Sequence, residues 1–219
     1  MVLHDFSHQN SLLNRFMSEL RDVDIQKDSM RFRRNIERVG EILAYELSKT
    51  LSYKTEMTET PLGKHVASLD QENIVLCSIL RAGMPLHNGL LNYFDQAENA
   101  FISAYRHHEN NEDAFEIVVE YLASPELEGK TVILADPMLA SGKSMINVYE
   151  ALEHVGKAGS LHLVSVLGAQ EGIDYVSQKL PENAHLWIAQ IDEKLNNRGY
   201  IVPGLGDAGD LCYGSKIDH

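Results

Sequence analysis

Three stretches of this 219-residue chain hold side chains whose types and spacing could do chemistry together. The first is Asp136-Pro137-Met138-Leu139-Ala140-Ser141-Gly142-Lys143-Ser144, set between an apolar run at 131–135 and a helical pattern over 144–155. Small residues and Gly142 let successive backbone N–H groups converge on one phosphate, and the helix start adds a partial positive charge worth about 0.3–1 kcal/mol at an exposed site. Ser141 and Ser144 contribute hydroxyl donors, and Lys143 could add a full charge. Asp136, ending the apolar run, is placed to accept from two ribose hydroxyls or to help hold a metal. The plain alternative is a strand-to-helix turn with Ser144 as its N-cap. An ATPase loop matches poorly, because Pro137 stands where its first glycine belongs.

The second stretch is Tyr200-Ile201-Val202-Pro203-Gly204-Leu205-Gly206-Asp207-Ala208-Gly209-Asp210. Its glycines satisfy G-x-G-x-x-G, but a dinucleotide fingerprint opens a helix early in a βαβ unit, and here only ten residues follow Gly209. Pro203 also interrupts any preceding strand. An irregular loop fits better, its glycines letting main-chain groups approach a flat ligand such as a nucleobase. The alternative is an ordinary flexible tail, which the apolar Ile201 and Val202 argue against. The third stretch is a pair of cations, Arg81 and Arg106, each just past an apolar run.

The elements that must position these residues show in the hydrophobic pattern. Phe32, Ile36, Val39, Leu43 and Leu47 recur at spacings of three and four, which predicts a helix over 29–51. The polar 53–68 stretch, with Pro61-Leu62-Gly63 at its middle, reads as a projecting hairpin. Short apolar runs at 73–80, 100–105, 131–135, 161–167 and 185–191 alternate with helical patterns at 84–93, 144–155 and 173–180. That alternation predicts an α/β fold with a parallel sheet covered on both faces. The 107–123 segment opens with His107-His108-Glu109-Asn110-Asn111-Glu112-Asp113, too polar to bury, and reads as a mobile excursion. Ligands of open parallel sheets bind beyond the carboxyl ends of the strands, which selects Arg81, Arg106 and Asp136.

Composition narrows the field. A net charge of −13 argues against nucleic acid, which needs clustered Lys and Arg, but a small phosphorylated ligand needs only a local pocket of donors. No apolar run approaches the roughly 18 residues of a membrane span, and the first residues lack the pattern of a signal peptide, so cytoplasmic residence is expected. Cys77 and Cys212 are too few and too far apart for a disulfide framework or a cysteine zinc site. Cys77 reads as a buried thiol, and the state of Cys212 is open. His107 and His108 read as solvated, and His4 and His8, at helical ligand spacing without acidic or histidine partners, as incidental.

The motifs converge on a family. Ser78-Ile79-Leu80-Arg81-Ala82-Gly83, the 136–144 segment and the 199–210 segment resemble, in order and spacing, the three signature segments of uracil phosphoribosyltransferases. Arg31-Phe32-Arg33, Tyr105-Arg106 and Gln170-Glu171-Gly172-Ile173 extend the resemblance through most of the chain, and the tail is its most specific piece. The resemblance implies a type I phosphoribosyltransferase fold: a parallel central sheet flanked by helices, spanning 1–219 as one domain, with a projecting β-hairpin and a small C-terminal hood over 192–219. It implies conversion of uracil and 5-phosphoribosyl diphosphate to uridine monophosphate and diphosphate. The 136–144 loop would hold the ribose and 5-phosphate, and Arg81 and Arg106 the diphosphate. Ile201, Gly206, Asp207 and Ala208 would bind uracil. Asp207 would also reach phosphoribosyl diphosphate, directly or through Mg²⁺ carried mainly by the substrate's diphosphate. Arg81, Arg106, Asp136 and Asp207 would form the catalytic set.

The family resemblance further implies a homodimer or higher homo-oligomer with the hairpin at the subunit contact, and a nucleotide effector such as GTP is compatible with it. Two other functions stay open: a regulator that binds nucleotides or phosphoribosyl diphosphate without turning them over, and a transferase for another nucleobase. The chain departs from the family pattern at Lys143, where a second glycine is usual, and at Ser78, where a proline is. It departs also at Leu211-Cys212 and at Leu122-Ala123-Ser124, where a Lys-Leu-Pro segment is expected.

Overall fold

Apolar runs too short for helices, bounded by turns, become the strands of the sheet. The computed structural model describes residues 1–108 and 115–216, the side chains of 104–108 and 115–120 excepted. Strand β1 (Val2–Asp5) is followed by helices α1 (Leu12–Arg21) and α2 (Ser29–Ser48), and then by the hairpin β2 (Tyr53–Thr60) and β3 (Gly63–Asp70). Next come β4 (Ile74–Leu80), α3 (Gly83–Leu91), β5 (Glu98–His108), β6 (Phe115–Ala123), β7 (Thr131–Ala135) and the two-residue β8 (Met138–Leu139). The chain continues through α4 (Lys143–Glu153), β9 (Ser160–Ala169), α5 (Gln170–Lys179) and β10 (His185–Asp192). It closes with β11 (Lys194–Leu195), β12 (Ile201–Val202) and α6 (Ala208–Tyr213).

The central sheet runs β1-β10-β9-β7-β4-β5-β6, with β8 paired to β9 off that path. All its pairings are parallel except β5 with β6. Successive side chains of a strand point to opposite faces, so a strand covered on both sides feeds two cores. In β7, Ile133 and Ala135 enter one core with Phe32 and Leu43 of α2 and Leu86 of α3. Val132 and Leu134 enter the other with Met145 and Val148 of α4 and Val176 of α5. The expected α/β architecture is the one observed.

Several boundaries differ from expectation, each for a local reason. Helix α1 was not expected. It starts at a capping box in which Ser11 Oγ accepts from Leu13 N at 3.2 Å and Asn14 Oδ1 accepts from Ser11 N at 3.2 Å. The β2–β3 hairpin runs to Asp70, pairs with itself alone among the described strands, and leaves every residue but Ala67 exposed. In the 107–123 stretch, 107–108 finish β5 and 115–123 form its antiparallel neighbour, so main-chain pairing holds its base; 109–114 lie outside the described residues.

His4 is not incidental. It sits in β1, not on a helix, with its ring parallel to Trp187 at 3.6 Å and its Nε2 3.0 Å from His185 Nδ1. Trp187 Nε1 donates to His162 Nδ1 at 3.1 Å, and burial, with the neighbouring His185 and His4, pushes the His162 pKa down to about 4. Cys77 and Cys212 are both fully buried, and burial pushes both thiols up to about 12.

Candidate active site

Strands β4 and β7 are parallel neighbours with Ser78 opposite Ala135, so Asp136 leaves the sheet level with Ile79 and Arg81 follows two residues farther along the same carboxyl end. Ser78, one of the departures from the family pattern, has a partner: its hydroxyl lies 2.8 Å from His87 Nδ1, and His87 Nε2 lies 2.7 Å from Asn99 Oδ1. Asn99 Nδ2 donates to the Ala97 carbonyl at 3.1 Å, so His87 donates from Nε2 and accepts the Ser78 proton at Nδ1. Burial lowers the His87 pKa against the opposing Asn99 bond, keeping this buried chain neutral. It ties β4, α3 and β5 together just before Arg81, and the Leu80–Arg81 peptide is cis.

The 136–144 loop is held by main chain. Asp136 N donates to Val164 O at 3.1 Å, and Pro137 O accepts from Val166 N at 3.1 Å and Leu167 N at 2.9 Å. Asp136 is half-buried; burial pushes its pKa up to about 7, opposed by the Met138 N–H that donates to its Oδ1 at 3.2 Å. Pro137 and Leu139 are buried, which leaves their main chain rather than their side chains for a ligand, while Met138 and Ala140 are half-buried. Gly142, not Ser144, caps α4: it has φ +76°, no side chain caps the helix, and Ser144 is the second helical residue. A Cβ on Gly142 would stand 2.8 Å from Val176 Cγ1 and 2.9 Å from Gly172 O, so the position requires glycine on both counts. Lys143 is exposed at the helix start, with Ser141 and Ser144 half-buried beside it.

The tail is more ordered than an irregular loop. Strands β11 and β12 pair antiparallel, and the Val202–Pro203 peptide is cis. Asp207 then caps α6 by accepting from Asp210 N at 2.9 Å. The expectation of loop throughout was wrong because Asp207 is an N-cap and Ala208 and Cys212 have an apolar surface to bury against. Ile201, Leu205, Ala208 and Cys212 belong to the same core as Ala135, Val166 and Leu167, and Met138 and Ala140 pack against it. Met138 and Ala140 of the loop therefore share a core with the tail, while Leu139 enters the other.

Arg81 links the two signature regions. Its Nη2 lies 3.3 Å from Asp210 Oδ1 and its Nη1 3.4 Å from Gly214 O. Arg33 of α2, to which sequence reasoning assigned no contact, donates to Cys212 O at 2.6 Å and lies 5.9 Å from the Tyr213 ring centroid. Arg106 lies opposite Ile117 in β5, and its side chain is outside the described residues. A recess of about 550 Å³ is lined by Arg21, Pro203, Gly204, Gly206, Asp207 and Asp210 among others; no residue of the 136–144 loop lines it.

Comparison with known proteins decides the family. A family profile described as uracil phosphoribosyltransferase matches residues 7–215. The chain belongs to the uracil phosphoribosyltransferase family. It is similar to the uracil phosphoribosyltransferase of Porphyromonas gingivalis, with 51% identity over 99% of both chains. It is also similar to that of Methanothermobacter thermautotrophicus, with 39% identity over 87% of both. Among solved structures, the AQ2163 protein of Aquifex aeolicus superposes with a TM-score of 0.85 at 29% identity, over 99% of this chain and 100% of that one. A hypoxanthine phosphoribosyltransferase of Staphylococcus aureus, at 17% identity, covers 86% of this chain and 84% of its own with a TM-score of 0.51, which speaks to the fold alone. The chain is thus an enzyme, a pentosyltransferase of the uracil-salvage family, with the type I phosphoribosyltransferase fold. Among the described residues no helix is long and apolar enough to cross a membrane.

Proposed function

We propose that this uracil phosphoribosyltransferase joins uracil to 5-phosphoribosyl diphosphate at the carboxyl end of β4 and β7. The observation that supports this placement is the contact of Arg81 with the α6 segment, which brings the cation after β4 to the tail. In the reaction the bond from the anomeric carbon to the diphosphate oxygen breaks and the oxygen keeps the electron pair. A uracil nitrogen forms the new bond from the opposite face and gives up its proton, which the departing diphosphate takes up.

Each residue then has a role that its chemistry supports. Arg81, with Arg106, stabilises the departing diphosphate. The Arg81–Asp210 pair is exposed and worth about 0–1 kcal/mol, so the guanidinium passes to a diphosphate at little cost. Asp136 accepts from the ribose hydroxyls as an anion; hydrogen bonds to the charged form pull its raised pKa back down when substrate binds. The main chain of Pro137, Met138, Leu139 and Ala140 and the start of α4 at Ser141, Gly142, Lys143 and Ser144 hold the 5-phosphate. The Ile201, Gly206, Asp207 and Ala208 segment pairs with the edges of uracil.

Phosphoribosyltransferases generally use a divalent metal. We assign it as Mg²⁺, which favours oxygen ligands and is commonly bound by one or two carboxylates with substrate phosphates. The carboxylates of Asp136 and Asp207 fit that donor chemistry, and when bound the ion supplies charge neutralisation at the diphosphate.

The whole chain is read as one domain, cytoplasmic, with 192–219 as a hood. Its exposed hairpin carries Tyr53, Met57, Leu62, Val66 and Leu69 and is read as the contact of a homodimer or larger assembly. Incubation with uracil, 5-phosphoribosyl diphosphate and Mg²⁺ is expected to give uridine monophosphate. Tight binding without product would favour a regulator, and faster turnover of another base in the same assay would displace uracil. Adding GTP to that assay tests a nucleotide effector.

A further inference from the structure

We infer that Arg21 and Asp192 form a lock that positions the base-binding turn, an inference that rests on the reading that Ile201 and residues 206–208 hold uracil. Arg21 is the last residue of α1, and Asp192 is the last of β10, with Gln190 two residues earlier on the same side of the strand. Arg21 Nη1 donates to Asp192 Oδ2 at 2.8 Å and Nη2 to Asp192 Oδ1 at 2.8 Å. Nε and Nη2 donate to Gln190 Oε1 at 3.1 and 2.9 Å, and Nη1 donates to the Gly204 carbonyl at 3.0 Å. These five bonds match the five N–H groups a guanidinium has. Asp192 Oδ2 in turn accepts from Gly204 N at 2.8 Å, so one ion pair grips both polar main-chain groups of a single glycine.

That glycine is the pivot of the turn. Gly204 follows the Val202–Pro203 peptide and has φ +65°; a Cβ there would stand 2.0 Å from Ile201 O. Only Leu205 separates it from Gly206, and Asp207 then caps α6. A displacement of Gly204 passes straight into residues 206–208, of which Gly206 and Asp207 line the recess beside Arg21. The side chains of Arg21 and Asp192 are 22% and 8% exposed, so this bidentate, charge-assisted pair is sheltered and fixes direction as well as distance. Arg21 is a positioning residue acting through Gly204. Lysine keeps the charge but replaces a planar fork by a point donor, which loosens the turn without leaving Asp192 unpaired.

The test compares R21K, D192N and G206A in the full chain, by steady-state kinetics and by amide hydrogen exchange. In R21K and D192N the KM for uracil is expected to rise about tenfold or more while that for 5-phosphoribosyl diphosphate stays within about twofold. Exchange of amides 204–208 should quicken while β4 and β7 keep their protection. Equal changes in both KM values, or a lowered melting temperature with unchanged uracil KM, overturns the lock. If R21K does not fold, the isosteric D192N decides alone. G206A tests the base-binding reading separately: its methyl would meet nothing nearer than Leu211 Cδ1 at 3.7 Å, and at φ +92° it strains residues 206–208 themselves without touching Arg21 or Asp192. A raised uracil KM in G206A with normal R21K and D192N sinks the lock by itself. An unchanged G206A sinks the base-binding reading and the lock with it.

Discussion

In the Asp136→Asn variant the carboxyl at the end of β7 becomes a neutral amide of the same shape. Burial pushes the wild-type group from its ordinary 3.8 to about 7. A carboxyl raised in this way holds its proton in the folded state and loses it in the unfolded one, so the wild type loses stability as pH climbs from near 3.8 to about 7 and the loss then levels off. At 1.36 kcal/mol per pKa unit the full penalty is about 4 kcal/mol, an upper bound because Asp136 is half-buried rather than sealed. Asparagine does not titrate, so the stability difference between variant and wild type should widen across that window in the variant's favour. At about 2–4 °C per kcal/mol for a chain of this size, the melting temperature above neutral pH should rise by roughly 10 °C. Turnover should fall by about a hundredfold, because the amide is a weaker acceptor for a pair of ribose hydroxyls and carries no charge. Urea unfolding of both proteins at pH about 5 and about 8, beside the uridine monophosphate assay, measures both effects. Stability curves that run parallel across the window would refute the buried-carboxyl argument, and retained turnover would remove Asp136 from the site.

Arg81→Ala should lower kcat by about a hundredfold or more through loss of charge at the leaving diphosphate, and near-normal kcat would exclude Arg81. Gly142→Ala should cost about 1–3 kcal/mol in urea unfolding and raise the KM for 5-phosphoribosyl diphosphate, since a Cβ there meets Val176 and Gly172 at positive φ; a variant of wild-type stability would contradict the geometry. The depressed His162 pKa, about 4, means that its share of stability is present above the ordinary 6.5 and is lost as pH falls from there to about 4. Wild type should therefore lose about 3 kcal/mol over that range that His162→Gln does not, and equal acid sensitivity of the two would count against the ring stack.

The strands of the sheet were legible because parallel strands covered on both faces must be unbroken apolar runs, as in Thr131–Ala135. Helix α1 was also written in the chain, in Ser11 and Asn14 as a cap and in Leu13, Met17 and Leu20 as a buried stripe, but it is only 10 residues long. β1 was not legible: four residues become a strand through their register with His185 and its neighbours, across the whole length of the chain. The glycines of the tail read locally as loop, yet α6 forms because Ala208 and Cys212 find the core laid down by β7 and β9. The partners of Arg21 at 190, 192 and 204 are separated from it by most of the sequence, and no local spacing announces them. Candidate site residues were legible as types at strand ends. Their electrostatics, as at Asp136, came only with burial.

The proposed site draws on both cores. Gly142 at the start of α4 is braced by Val176, Gly172 and Tyr175 of α5, and Val176 belongs to the core beneath α4 and α5, while Met138 and Ala140 of the same loop pack against the other core. The tail stands on the core beneath α1 and α2 through Ile201, Leu205, Ala208 and Cys212. The sheet separates those cores, and Asp136 leaves it at the carboxyl end of β7, whose side chains feed both. On the proposed reading, a 5-phosphate at the start of α4 and a base at the tail would put the ribose between them, at Asp136. The bond that breaks and the bond that forms would then meet beyond the carboxyl ends of β4 and β7, near Arg81. On that reading the sheet, packed on both faces, would set the distance between phosphate and base, which is the alignment on which a displacement at the anomeric carbon depends.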